Sequence, residues 1–311
     1  MRSAQSTPEG NAVVVQGLQK AYGAIEAVAG VDLEIARGEV FGLLGPNGAG
    51  KTTIVEILEG HRRRSGGEVS VLGFDPGRRE RAFRERIGIV PQEGGVDPVL
   101  TVSETITLYS AAYPRPRPLD EVVELVGLEE KRDARVESLS GGQRRRLDFA
   151  LGIAGDPELL FLDEPTTGFD PSARRRSWDA IERLGSLGTT ILLTTHYMEE
   201  AQRLADRVAV IAAGRIVSEG APENLAGRAE GTAVISFRAP EGITLEELPL
   251  PPAAKLEQVN GHVEFRTGTA TRDLLPLLAW AWEHSRELER LQVTRPTLED
   301  VYLQLTDGGR S

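Results

Sequence analysis

Gly45-Pro46-Asn47-Gly48-Ala49-Gly50-Lys51-Thr52-Thr53 is the segment whose residue types and spacing could most clearly do chemistry. It follows an apolar run, Val40-Phe41-Gly42-Leu43-Leu44, and precedes a helix-like stretch from Ile54 to Glu59. The order strand, glycine loop, helix makes G-x-x-x-x-G-K-[ST] a phosphate-binding motif. Glycines let backbone N–H groups turn inward toward an anion, and the helix N-terminus adds partial positive charge there. Lys51 would reach the β- and γ-phosphates, and Thr52 would offer its hydroxyl to Mg²⁺. A second segment, Leu159-Leu160-Phe161-Leu162-Asp163-Glu164-Pro165, is an apolar strand that ends in two acids. Asp163 at the strand tip suits a Mg²⁺ ion beside bound phosphate. Glu164, one position on, points differently and can accept a proton from attacking water, a role worth ~10²–10⁴ in rate. A third, Leu139-Ser140-Gly141-Gly142-Gln143, opens the helical run Arg144–Leu151. It is another glycine-backed helix start, with a serine hydroxyl able to donate to phosphate. Together these segments imply a bound nucleoside triphosphate.

The elements that must position these groups are legible from pattern. Val13-Val14-Val15 starts a strand, Tyr22-Gly23 turns it, and Val31–Ile35 alternates with period two, which predicts a small antiparallel sheet beside the glycine loop. Val69 and Val71 suggest a further short strand, and Ile87-Gly88-Ile89-Val90 is a buried strand stopped by Pro91. From Thr101 to Leu151 the period turns helical, with a break over Pro114–Pro118 and a stop at Gly127. The apolar runs Leu159–Leu162 and Thr190–Thr194 are each followed by a helix-like stretch, which predicts a parallel core sheet with crossover helices. Val208–Ile211 and Arg215–Val217 read as a hairpin through Ala213-Gly214. The fold class is therefore α/β. The expected organisation is a flexible tail over residues 1–11, a main domain over 12–228 with a helical subdomain at about 94–152, and a separate α+β unit over 229–311. That last unit should hold a strand at Ala233–Phe237, a hairpin turning at Asn260-Gly261, and a helix from about Thr271 to Arg290 with Pro276 near its start. An apolar stripe, Leu298, Val301, Tyr302 and Leu305, follows a Thr297–Asp300 capping box.

Composition narrows the chemistry. The 311 residues suffice for two domains, and their net charge of −11 argues against nucleic acid as a direct partner. Cysteine is absent, which excludes disulfides, thiolate catalysis and cysteine-ligated zinc. Four scattered histidines make no metal cluster. No apolar run approaches the ~20 residues that cross a bilayer, and the polar N-terminus lacks a signal-peptide core. Arginine clusters at 62–64, 78–86, 144–146 and 174–176 are interleaved with acids and read as solvated faces.

In combination these motifs resemble the ATP-binding cassette (ABC) ATPases over about residues 13–220. Gly45–Thr53 resembles the Walker A loop, Asp163 the Walker B carboxylate and Glu164 the catalytic glutamate. The resemblance implies a P-loop ABC cassette with an antiparallel β subdomain, a helical subdomain and a parallel core. It implies that Ser140, Gly141, Gly142 and Gln143 form the signature that closes over ATP held by a second subunit. Gln92 matches the Q-loop glutamine, a Mg²⁺ and water contact, and His196 matches the switch histidine at the γ-phosphate. Tyr22 fits the aromatic that stacks on adenine, and Gly168-Phe169-Asp170 fits the D-loop, with Phe169 where leucine is usual. The segment Arg295–Leu303 is similar to the ending of ATPases that serve ABC-2-type exporters of the daunorubicin-resistance type. Such a likeness implies an ATPase using ATP and Mg²⁺ and working as a homodimer or with a second cassette. It would power a separate permease from the cytoplasmic face of the membrane and export a drug, lipid or other hydrophobic or polymeric cargo. The alternative is a non-transport ABC ATPase with a regulatory or a nucleic-acid- or ribosome-associated role. Against that alternative, the chain has neither a long coiled-coil insertion nor a second cassette.

Overall fold

The computed structural model describes residues 10–90, 95–227, 233–240, 242–251, 257–259 and 262–294. Gln92, the Asn260-Gly261 turn and the segment Arg295–Leu303 lie outside the described residues. In chain order the elements begin with β1 (Asn11–Tyr22), β2 (Ile25–Ala36), β3 (Val40–Leu44), α1 (Lys51–Leu58) and β4 (Gly66–Val71). Next come α2 (Arg81–Arg84), β5 (Ile87–Val90), α3 (Val102–Ser110), α4 (Leu119–Val126) and α5 (Gly141–Ile153). Then follow β6 (Leu159–Asp163), α6 (Pro171–Ser186), β7 (Thr190–Thr195), α7 (Met198–Leu204), β8 (Arg207–Ala212), β9 (Arg215–Gly220) and α8 (Pro222–Gly227). The last are β10 (Ala233–Arg238), β11 (Glu257–Val259), β12 (His262–Thr267), α9 (Ala270–Glu283) and β13 (Gln292–Thr294). The chain divides into two compact units, Met1–Pro222 and Glu223–Ser311.

In the first unit a six-stranded sheet runs β5-β6-β7-β3-β8-β9, parallel except for the β8–β9 hairpin. A three-stranded antiparallel sheet, β2-β1-β4, accompanies it. Successive side chains of a strand face opposite sides, so a strand covered on both sides must be apolar throughout. Strands β6 and β7 meet this condition over their middles, Leu159–Leu162 and Ile191–Leu193, and carry polar residues only at their ends. Leu159, Phe161 and Leu192 enter the core shared with α1 and the antiparallel sheet. Leu160, Leu162, Ile191 and Leu193 enter the core shared with α3 to α6. Local signals set the helix ends around the site. Thr101 and Glu104 form a capping box at the start of α3, Gly127 ends α4 in the left-handed conformation (φ +63°), and Asp170 caps α6.

The helix that carries the signature lies against β5 through two glycines. A Cβ on Gly88 would fall 2.1 Å from the Gly152 carbonyl oxygen, and one on Gly152 would fall 2.4 Å from Val90 Cγ2. No side chain fits between these backbones, and the contact sets the depth of α5 against the sheet.

The second unit is an antiparallel sheet, β11-β12-β10-β13, whose Ile235, Phe237, Val263 and Phe265 pack with Leu277 and Ala281 of α9. Here α9 is shorter than its apolar period predicts, ending at Glu283 rather than near Arg290. Ser285 turns left-handed (φ +50°) and the Arg286 N–H closes back on the Ala281 carbonyl at 2.8 Å, a helix-stopping pattern. Pro276 also stands in the helix interior rather than near its start. Its exposed position leaves the missing hydrogen bond open to water.

Gly88→Ala should therefore be disproportionately costly for one methyl group. Urea titration of the purified variant is expected to show a loss of ~1–3 kcal/mol or more, the range for overpacking a rigid contact.

Candidate functional site

The C-terminal ends of β3, β6 and β7 meet at one edge of the parallel sheet, where loops rather than crossover helices begin, and ligands of open α/β sheets bind there. The strand register sets Asp163 of β6 beside Thr194 of β7, and Leu44 of β3 beside Thr195. The loop after β3 then doubles back onto the start of α1. Gly50, the N-cap of α1, takes φ +106°, and a Cβ there would fall 2.5 Å from the Ala27 carbonyl oxygen. A Cβ on Gly45 would meet the Ile211 carbonyl oxygen at the same distance. Both positions thus exclude any side chain. Helix α1 begins with no side-chain cap and no acid in its first turn, so its leading N–H groups are offered to an external acceptor.

Lys51 is buried in this loop. Its Nζ donates to the carbonyls of Gly45 (2.7 Å) and Pro46 (3.2 Å) and lies 3.7 Å from Glu164 Oε1. Burial pushes the ammonium below the usual lysine range, and the opposing pull of Glu164 and Asp163 resists that shift. Asp163 accepts a short hydrogen bond from Thr194 Oγ1. Glu164 adopts a left-handed backbone conformation (φ +47°), which costs a non-glycine residue of order 1–3 kcal/mol. Its N–H donates to Thr194 Oγ1 at 3.0 Å, and Thr167 Oγ1 donates to Glu164 Oε2 at 3.1 Å. His196, just past β7, brings Nδ1 to 3.3 Å from Glu164 Oε1, buried and without hydrogen-bond geometry. Lys51, Asp163, Glu164 and His196 thus converge on one spot.

The other expected residues occupy two further places. Tyr22 ends β1 and is 40% exposed, with Lys20 Nζ at 4.9 Å and Arg62 Cζ at 5.3 Å from its ring centre. Ser140 is the N-cap of α5: Gln143 N donates to its Oγ at 3.3 Å, and Ser140 N donates to Gln143 Oε1 at 2.9 Å. The serine hydroxyl acts there as an acceptor, which leaves its own proton free to donate outward. Asp170 accepts from the backbone N–H groups of Ala173 and Ser172, which hold its carboxyl below the usual range. Gly141, Gly142, Thr167, Asp170 and Ala173 line one cavity of about 490 Å³, to which no residue of the glycine loop contributes among the described residues.

Sequence reasoning missed Thr194, whose hydroxyl touches both acids. Within an apolar strand it carries no distinguishing signal, and only the pairing of β6 with β7 makes it a partner of Asp163. It also missed Glu59, the C-cap of α1. Burial, then the nearby charges of Asp163 and Glu56, push its carboxyl up to about 8. His61 Nδ1 lies 3.2 Å from it.

A glycine cradle on a helix start, a buried lysine and two strand-end carboxylates define a phosphate-loop nucleotide-binding protein. The family model described as "ABC transporter" matches residues 28–167, and that described as "ABC transporter domain-containing protein-like, C-terminal domain" matches residues 233–297. The chain is 40% identical over 305 residues to the Nod factor export ATP-binding protein I of Paraburkholderia xenovorans, covering 95% of this chain and 97% of that protein. It is 37% identical over 322 residues to a daunorubicin resistance ATP-binding protein of Streptomyces coeruleorubidus, covering 96% of this chain and 97% of that protein. Among solved structures, the ATP-binding subunit of an ABC transporter matches with a TM-score of 0.64 at 25% identity, covering 76% of this chain and 96% of that one. A dimeric ATP-binding cassette in a post-hydrolysis state with ADP and Pi matches in fold with a TM-score of 0.61 at 24% identity, covering 67% and 98%. The chain belongs to the ATP-binding proteins of ABC transporters. It is a nucleotide-binding ATPase subunit, and no helix among the described residues is long and apolar enough to cross a membrane.

Glu59 makes the folded protein sensitive to pH. Between its ordinary value of 4.5 and about 8, the folded chain retains a proton that the unfolded chain releases. Stability therefore falls as pH rises through that window, by up to a few kcal/mol. In urea titrations, Glu59→Gln is expected to match the parent near pH 5 and exceed it by ~2–4 kcal/mol near pH 8.

Proposed function

We propose that this subunit drives export through a separate membrane permease, by clamping ATP between two cassettes and releasing the clamp on hydrolysis. The observation that carries the reading is the convergence of Lys51, Asp163, Glu164 and His196 beside the glycine loop. Residues Gly45 to Thr53 would wrap the triphosphate, with Lys51 exchanging its two carbonyl partners for β- and γ-phosphate oxygens. Thr52 and Asp163 would supply oxygen donors that suit Mg²⁺, and among the described residues no group of three or more acids or histidines is arranged to hold a metal ion by itself. That sparse set fits an ion whose shell is completed by phosphate and water, and Gln92 would join it. When bound, the ion neutralises charge building on the phosphates. Glu164 takes the proton of the attacking water, and His196, beside Glu164 Oε1, contacts the γ-phosphate. Tyr22 offers its ring to the adenine.

Ser140, Gly141 and Gly142 of one cassette, with Gln143 bracing their turn and Asp170 alongside, would complete the site of the other. The pair is a homodimer or includes a second, related cassette. A cavity of about 440 Å³ lined by Glu59, Arg84, Gly95, Val96, Tyr109 and Tyr113 offers a docking place for a permease segment. Asp148 lines both this cavity and the signature cavity, and pairs with Arg145 at 3.8 Å. The subunit would then sit on the cytoplasmic face of the membrane, held by the permease. Its cargo would be a drug, lipid or other hydrophobic or polymeric molecule, in keeping with the names of its relatives. Residues 229–311 would serve as an accessory or regulatory domain.

Glu164→Gln is expected to bind ATP, to dimerise in its presence, and to turn over ~10²–10⁴-fold more slowly than the parent. Light scattering with and without ATP, alongside phosphate release, measures both; full turnover or a strictly monomeric variant would overturn the clamp. Lys51→Ala should lose nucleotide binding itself, read by equilibrium titration with a fluorescent ATP analogue.

A further inference from the structure

Glu200 lies apart from the phosphate site, in the first turn of α7, and has no solvent exposure. Its Oε1 accepts two hydrogen bonds, from Thr166 Oγ1 at 2.7 Å and from Trp178 Nε1 at 2.9 Å. Its Oε2 is buried with no hydrogen-bond partner. A carboxylate with one dry oxygen is a poor way to fill a core, where an apolar side chain would avoid the desolvation cost. What the carboxylate offers is reach across three elements. Thr166 sits in the turn that begins at Glu164, Trp178 belongs to α6, and α7 starts two residues after His196.

That turn needs holding. Glu164 is left-handed, a conformation that persists only where its surroundings over-determine it. Its N–H is tied to Thr194, and the Thr167 N–H closes onto the Glu164 carbonyl at 3.3 Å. Thr166, between them, is fully buried, and Glu200 is its side-chain partner. On the other side, α7 is bound to α6 by Arg203, which pairs with Asp179 and Glu182 and lies over the Trp178 ring. Arg174 of α6 lies over the ring of Tyr197, next to His196. The α6–α7 pair is therefore tied together, and Glu200 joins it to the Glu164 turn.

We propose that Glu200 is a positioning residue for hydrolysis: through Thr166 and Trp178 it keeps Glu164 and His196 in mutual register. This rests on the reading of Glu164 as the base. It assigns Glu200 no contact with nucleotide.

The test uses the full-length chain and compares Glu200→Ala, Glu200→Gln and Thr166→Val with Glu164→Gln as reference. Steady-state ATPase gives kcat and KM, and titration with a fluorescent ATP analogue gives the dissociation constant. Glu200→Ala is expected to lower kcat ~30–100-fold while KM and the dissociation constant stay within about two-fold, since the glycine loop is untouched. Glu200→Gln keeps an oxygen acceptor of the same reach and should return kcat to within about five-fold of the parent. Thr166→Val, which removes only the hydroxyl, should lose about ten-fold. In the Glu164→Gln background, Glu200→Ala should add no further loss, because both act on one step. A kcat for Glu200→Ala within two-fold of the parent would overturn the proposal. So would an equal loss in nucleotide affinity, the mark of a merely structural role, or no rescue by glutamine. If Glu200→Ala fails to fold, Thr166→Val and Trp178→Phe carry the test, and unchanged kcat in both overturns it. Full turnover in Glu164→Gln would bring down the role of Glu164 and the positioning role of Glu200 together, and is recognised without any Glu200 variant.

Discussion

A lysine ammonium held out of water, facing carbonyls and carboxylates at the end of a parallel sheet, is the constraint on which the rest of the first unit depends. Lys51 cannot be buried without partners, and the structure supplies them from its own loop: the carbonyls of Gly45 and Pro46, with Glu164 close by. These are partners an incoming triphosphate can replace with better ones, since phosphate oxygens carry full charge and the carbonyls do not. The fold thus keeps its principal cation desolvated but unsaturated. The buried strands β3, β6 and β7 are what make this possible, because their apolar runs seal the sheet on both faces and leave charge to their C-terminal ends.

The same edge stores strain. Glu164 is turned into a left-handed conformation beside a strand that ends in Asp163, and Thr194 on the neighbouring strand holds both residues. Such an arrangement points two adjacent carboxylates to different partners, Asp163 to Thr194 and Glu164 to Lys51 and His196. Adjacent residues of an ordinary strand would instead point to opposite faces of the sheet. Strain at this point is offset by hydrogen bonds from β7 and, through Thr166, from α7. The geometry of this turn is therefore a property of β6, β7 and α7 together and not of the acidic pair alone.

Charge elsewhere is handled more simply. Arg62, Arg64, Arg81 and Arg86 pair with Glu56, Asp75, Glu85 and Glu158, as interleaved acids and bases on solvated faces should. The exceptions sit next to the site. Arg145 reaches the carbonyls of Asp163 and Pro165 and also Asp148, so the helix that carries the signature is wired to the acid-ended strand from behind. Gly88 and Gly152 bring that helix close enough for this to happen.

Much of this was legible in the residues themselves. The glycine loop, the acid pair after an apolar strand, the serine–glycine helix start and the α/β alternation are local signals, each with a local physical cause. Local causes were misleading where a helix could end early without losing its apolar face. The Ser285 turn stops α9 short, and Pro276 stands inside it, because burial of Leu277 and Ala281 outweighs one missing hydrogen bond. Chain chemistry by itself determined which residues can bind phosphate, carry a cation or move a proton, since those capacities belong to side chains and to glycine's missing Cβ. Tertiary structure alone decided which of them meet. Strand order placed Thr194 against Asp163, and helix packing put Glu200 under Thr166. Contacts between residues 30 or more positions apart arise from burying both faces of a sheet at once, and no window of sequence contains that condition.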